Sequence, residues 1–233
     1  MREGPSASNI PNNYRMLPAT IVPHRQSDTT THRPAALTPE RIAAGLKRPA
    51  PPADPRDLHV IALAEGTRVV DAAVLVPIVH RAEGMRLLFT RRTPHLDDHA
   101  GQISFPGGRV EPGDAGREET ALRETEEEIG LPRGSVTLLG RLPEYAIPSG
   151  FRITPVVGWV EPPFTLKPDP FEVAGVFEAP LEHFLDPANY QRREYRFRGK
   201  HRHYMAVPYE GHYIWGATAG MLHVMCRVLA GEK

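Results

Sequence analysis

The sequence predicts an α/β fold in which a mixed β-sheet is sandwiched between helices. Three observations carry that expectation. Short apolar runs suited to strands come first, one long helical stretch is inserted among them, and a second long helix closes the chain. Strands and helices do not alternate as repeated βαβ units, so an α/β sandwich is expected rather than a doubly wound parallel sheet.

Taken in order, Thr38-Pro39-Glu40 opens a short helix, with threonine as N-cap and proline at the first helical position. The proline-rich stretch from Pro49 to Pro55 ends it. Residues 1–56 therefore read as a Pro-rich, partly disordered N-terminal extension carrying one short helix, and residues 57–233 as a single folded domain. Asp71 to His80 is an apolar strand buried on both faces, and Arg86 to Arg91 pairs with it across an Ala-Glu-Gly turn. Ala121, Leu122, Thr125 and Ile129 recur at helical spacing, and Gly130 stops that helix. Strands are expected near 135–146, 151–160 and 172–178, a short helix near 180–185, a polar hairpin near 193–208 and a last helix from about 216 to 229.

Composition narrows the function. Lysine plus arginine equals aspartate plus glutamate, 28 of each, so no net charge argues for a nucleic-acid or membrane partner. No apolar run approaches the roughly 18 residues needed to span a bilayer. The single cysteine, Cys226, precludes an internal disulfide and lies in an apolar helical pattern, as a core thiol in a reducing, cytoplasmic setting would. Acidic residues, however, crowd between positions 111 and 128.

The crowding belongs to the run Phe105-Pro-Gly-Gly-Arg-Val-Glu-Pro-Gly-Asp-Ala-Gly-Arg-Glu-Glu-Thr-Ala-Leu-Arg-Glu-Thr-Glu-Glu-Glu-Ile-Gly-Leu131. Glu124, Glu127 and Glu128 stand at i, i+3 and i+4, so a helix sets them on one patch of its surface. Like charges so placed cost a few tenths of a kcal/mol per pair, roughly, and a hard divalent cation such as Mg²⁺ or Mn²⁺ would reverse that sign. Glu124 and Glu128, one turn apart, are the best metal ligands, and Glu127 can complete a second site or reach a metal through water. Gly107 and Gly108 let the backbone turn tightly into the site. Arg123 is expected to pair with Asp114 or Glu111 and hold the loop.

This run resembles the Nudix box, whose core reads Arg-Glu-aliphatic-x-Glu-Glu-x-Gly after a Gly-Gly turn. Thr125 stands where the aliphatic residue is usual, and the interval from the first acidic residue to Arg123 is one residue longer. That longer interval is similar to the coenzyme A pyrophosphatase subfamily. Upstream, Thr90, Arg92, Leu96, His99, Gly101, Gln102 and Phe105 match that subfamily's motif, with Asp97 where it has arginine. Ser149 to Gly158 and Tyr213 to Gly220 resemble it too, so the likeness runs from about 71 to 225.

The resemblance implies a Nudix-type α/β/α sandwich and hydrolysis of the diphosphate of coenzyme A or a derivative, giving 4′-phosphopantetheine and adenosine 3′,5′-bisphosphate, with Mg²⁺ or Mn²⁺. It implies a general base taken either from the box, where Glu127 is the candidate, or from a later loop, where Glu172 is the best candidate with Glu178 behind it. Arg92, His99, Gln102 and Arg109 become candidate substrate contacts, although His99 and Gln102 can equally fasten their own loop. Two other readings stay open: a diphosphatase for ADP-ribose or a dinucleotide, and a non-catalytic nucleotide-binding domain of the same fold. The partner expected is a small nucleoside diphosphate compound, with monomer and homodimer equally open.

Overall fold

The computed structural model describes residues 37–49, 52, 69–96, 99–147, 150–197 and 200–231. The expected disordered tail and Asp97 lie outside them.

Helix α1 (Pro39–Leu46) starts as its sequence dictates, with the Thr38 hydroxyl accepting the Arg41 N–H at 3.4 Å and proline in the first turn. It stops at Leu46, ahead of the proline stretch, because Lys47 already closes the last turn onto Gly45. Although α1 falls within residues 1–56, Ile42 is fully buried in the main core, and the helix packs on the C-terminal helix and the sheet.

The large sheet holds eight strands: β1 (Val70–Arg81), β2 (Gly84–Arg92), β3 (Ile103–Ser104), β4 (Gly107–Arg109), β5 (Val136–Arg141), β6 (Tyr145–Ala146), β7 (Phe151–Val160) and β8 (Val173–Pro180). Its spine runs β3-β2-β1-β7-β5, with β4 beside β1, β6 beside β7 and β8 beside β2. Only β1 and β7 pair in parallel; the remaining pairs are antiparallel, so the sheet is mixed as expected. The strand expected over 135–146 is instead two, β5 and β6. A register shift between Leu138 and Gly140 bends the chain, and Pro143 in the gap has no N–H to continue a ladder.

Period-two alternation divides the side chains between two cores. From β1, Val76 and Ile78 enter one core, whereas Ala73, Leu75 and Val79 enter the other. From β7, Val157 and Trp159 oppose Val156 and Val160 in the same way. Helix α2 (Arg117–Ile129) covers the second core with Ala121 and Ile129. On the opposite face lie α1, α3 (Leu181–Leu185) and α4 (Ala217–Ala230), which completes an α/β/α sandwich. Cys226 is buried there outside any disulfide, its Sγ 3.3 Å from the Leu185 carbonyl oxygen. The expected hairpin forms as β9 (Gln191–Phe197) and β10 (Lys200–Tyr209), and β11 (His212–Trp215) joins it in a separate three-stranded sheet. Among the described residues no helix is long and apolar enough to cross a membrane.

Because α1 contributes a fully buried side chain, Ile42→Ala is expected to lower the free energy of unfolding by about 3 kcal/mol. Urea denaturation of the whole chain measures this directly; an unchanged midpoint would mean that α1 is an appendage.

Candidate active site

Helix α2 owes its position to a narrow approach between β4 and the helix. Gly107 has φ +151°, and a Cβ there would lie 2.3 Å from the Ala73 carbonyl oxygen, so only glycine fits. At Gly108 a Cβ would fall 2.4 Å from the Glu124 carboxyl carbon. The Gly-Gly pair therefore does two jobs: the first residue lets β4 pair with β1, and the second leaves room for Glu124. Thr125, buried on the sheet side, keeps its hydroxyl satisfied by donating to the Ala121 carbonyl one turn back at 2.6 Å.

The three box carboxylates do not share one solvated patch. Glu128 is buried at 7% exposure and accepts the Gly107 N–H at 3.1 Å. Glu124 is partly covered at 19% side-chain exposure, while Glu127 is open at 59% and pairs with Arg123 at 3.0 Å. Helix geometry sends positions 124 and 128 toward β4, and Arg123 draws 127 outward. Burial pushes the Glu128 carboxyl up to about 8, against the pull of the Gly107 N–H and Arg92 and with the added push of Glu172 and Glu124. Glu124 is raised as well, first by burial, with Arg123 opposing.

Among the described residues no three acidic, histidine or cysteine side chains are gathered as a ready-made metal cluster. The donor chemistry nevertheless fits a hard divalent cation. Glu124 and Glu128 offer carboxylate oxygens whose charged forms are disfavoured by burial when uncompensated, which is the condition a cation relieves.

Beside them stands a fixed lock. Asp114 accepts Arg123 Nε at 2.9 Å and Nη2 at 3.1 Å, the Glu111 N–H at 2.9 Å and the Thr120 hydroxyl at 2.7 Å. The Arg123 guanidinium, followed by the Glu111 N–H, holds the Asp114 carboxyl well below the usual carboxylate range. Of the two partners expected for Arg123, Asp114 takes the ion pair and Glu111 supplies only backbone. Arg123 also donates to the Arg109 carbonyl at 3.1 Å and lies 3.1 Å from a Glu124 oxygen, tying β4, the loop and the helix together.

The loop bearing Glu172 is set by the end of α2. Gly130 takes φ +68°, and the Lys167 and Asp169 N–H groups cap the exposed Ile129 and Glu128 carbonyls at 2.8 Å each. Thr93 fastens the far side, its N–H to the Glu172 carbonyl at 2.9 Å and its hydroxyl to the Phe171 carbonyl at 2.7 Å. The charge of Glu172 thereby bears on both Glu124 and Glu128. Glu178 does not join them: Arg81 and Arg86 engage it, at 2.5 Å and 3.7 Å.

Arg92 bears on Glu128, and its Nε is buried without a hydrogen-bond partner among the described residues. Gln102 and His99 fasten their own turn: His99 Nδ1 lies 2.9 Å from Gln102 Oε1, and the Gln102 carbonyl accepts the Arg92 N–H at 2.9 Å. Arg109 is exposed, with its guanidinium 5.4 Å from the Phe151 ring centroid. Thr93, Lys167 and Asp169 went unread in the sequence. Lys167 acts through its backbone N–H, which no residue type announces, whereas Asp169 adds a side-chain acceptor for the Phe171 N–H.

The NUDIX domain family matches residues 70–203, a span that contains Arg92, the glycine pair, all of α2 and Glu172. The chain belongs to the Nudix hydrolases. As a member of that family it is a hydrolase; Nudix hydrolases use divalent metal ions and act on small nucleoside diphosphate compounds. It is 46% identical over 152 residues to an uncharacterized Nudix hydrolase, NudL, of Yersinia enterocolitica, covering 65% of this chain and 77% of that protein. The NudL of Yersinia pestis strain Pestoides F is 43% identical over 152 residues, covering 65% and 75%. A solved structure, the binary complex of a C. elegans Ap4A hydrolase, aligns with 48% of this Nudix chain and 80% of its own at 20% identity, with a TM-score of 0.42.

The raised Glu128 carboxyl sets a pH dependence. Its folded pKa, about 8, lies above the ordinary carboxylate value of 4.5, so the folded protein binds the extra proton between those limits. Without divalent cations, stability is expected to fall as pH rises from about 5 to 8, by at most roughly 1.4 kcal/mol per pH unit, and to level off above. Glu128→Gln should remove most of that slope, leaving what the raised Glu124 carboxyl contributes. Chemical denaturation in EDTA at several pH values checks both, and a slope unchanged by the substitution would refute the assignment.

Proposed function

We propose that this Nudix hydrolase is a Mg²⁺- or Mn²⁺-dependent diphosphatase that cleaves coenzyme A or its derivatives to 4′-phosphopantetheine and adenosine 3′,5′-bisphosphate. The observation that carries the hydrolytic reading is the buried Glu128, with Glu124 beside it and Glu172 bearing on both. A binding-only domain has no use for a carboxylate that burial disfavours this strongly. The coenzyme A reading is supported by the motif from Leu88 to Gly108 and by the longer interval before Arg123.

In this reading Glu124 and Glu128 hold the cation, and Glu127, at the rim, completes a second site or reaches a metal through water. When bound, the metal neutralises negative charge on the diphosphate and polarises its oxygens. Glu172 is the general base: its carboxylate accepts a proton from the attacking water as the new P–O bond forms and the bridging P–O bond breaks. Arg92, whose guanidinium charge bears on Glu128, steadies a phosphate oxygen. Arg109 stands ready at the rim for a second phosphate. His99 and Gln102 shape the turn that presents Arg92, and the Asp114–Arg123 lock keeps Gly107, Gly108 and the helix in register.

Glu128→Gln, Glu124→Gln and Glu172→Gln are each expected to lower kcat on coenzyme A by a hundredfold or more, roughly. For the two metal ligands, the rise in melting temperature on adding Mg²⁺ at pH 8 should shrink too, whereas Glu172→Gln should keep most of it. A Glu128→Gln enzyme with full Mg²⁺-dependent turnover would end this assignment. Substrate choice is read by comparing coenzyme A with dephospho-coenzyme A. A preference for the former fits the proposal, and equal rates would favour a broader diphosphatase, in keeping with Asp97 in place of the motif's arginine.

A further inference from the structure

Phe171 is 64% exposed, the most open of the large apolar side chains among the described residues. A single exposed apolar side chain is common in itself; what sets this one apart is that its backbone is held while its face stays open. The Phe171 N–H donates to Asp169 Oδ1 at 2.8 Å, its carbonyl accepts the Thr93 hydroxyl at 2.7 Å, and the next carbonyl accepts the Thr93 N–H at 2.9 Å. His95, also exposed, packs against the ring with centroids 4.9 Å apart and planes 57° apart. One side of the phenyl ring is thus braced while most of its surface stays open. The residue that follows is Glu172, whose charge reaches Glu124 and Glu128.

We infer that Phe171, braced by His95, is the platform on which the nucleobase of the diphosphate substrate stacks. The inference rests on the nucleoside diphosphate reading above and adds to it the group that reads the base. A flat, apolar, rigidly presented ring suits a flat π-face, and stacking of this kind tolerates several bases because each has such a face. A base on Phe171 sits on the residue next to Glu172, the proposed general base, on the loop that Thr93 fastens.

Isothermal titration calorimetry in Mg²⁺ with AMP and with ribose 5-phosphate, which has the sugar phosphate and no base, separates stacking from phosphate binding. Phe171→Ala is expected to weaken AMP about tenfold, Phe171→Trp to restore it, and ribose 5-phosphate to be unmoved by either. His95→Ala should weaken AMP less than Phe171→Ala does. An AMP affinity unchanged in Phe171→Ala, an equal loss for both ligands, or no AMP binding by the natural chain would each overturn the inference. Melting temperatures of the variants verify that they fold. A natural chain that hydrolyses coenzyme A while Phe171→Ala binds AMP normally sinks the platform alone. One that binds AMP through Phe171 yet hydrolyses no diphosphate sinks the hydrolytic reading alone.

Discussion

A carboxylate largely shut off from water is the constraint from which the rest of the site follows. Glu128 sits under β4 with one backbone N–H for company. Desolvation of a carboxyl group costs more than one hydrogen bond returns. The Gly107 N–H and Arg92 reduce that cost without abolishing it, while Glu124, admitted by the glycine gap, adds to it. The apolar face of α2, anchored by Ala121 and Ile129 against β1 and β7, supplies the stability that makes it tolerable. Fold and site are in this sense opposed at one residue, as is usual where chemistry is done.

Two different devices hold the helix to its surroundings. At its beginning no side chain caps α2, since Gly116 occupies the cap position, and the Asp114–Arg123 pair with the Thr120 hydroxyl anchors the first turns instead. Arg141 adds a bidentate pair to Glu118, and Arg133 binds Glu119 and Glu126. Those pairs are partly exposed and contribute little individually. Asp114, with its side chain only 4% exposed and all its acceptors engaged, is the strong one.

Much of this was legible in the residues. The two-sided burial of β1, the capped start of α1 and the glycine end of α2 are legible because each depends on a local apolar run or on a single residue type. The Arg123 pairing was legible to within two candidates. What escaped was of another kind. The burial of Glu128 depends on how closely β4 approaches, which the helix pattern does not encode; periodicity placed it with Glu127 on a polar face. The split between β5 and β6 falls at residues 142–144, where Pro143 interrupts the ladder and is a usable signal. That Ile42 belongs to the main core is hidden by the proline stretch after it, which reads as a boundary.

The backbone caps at the end of α2 have a consequence for how such a domain changes over time. The Lys167 and Asp169 N–H groups fix the following loop by its distance from Ile129 and Glu128, not by its distance along the chain. Between Gly130 and Lys167 lie β5, β6 and β7. Because the two N–H groups tie the loop straight to the end of α2, the acid at position 172 takes its place from the helix, and the intervening strands are free to diversify while the helix keeps the ruler.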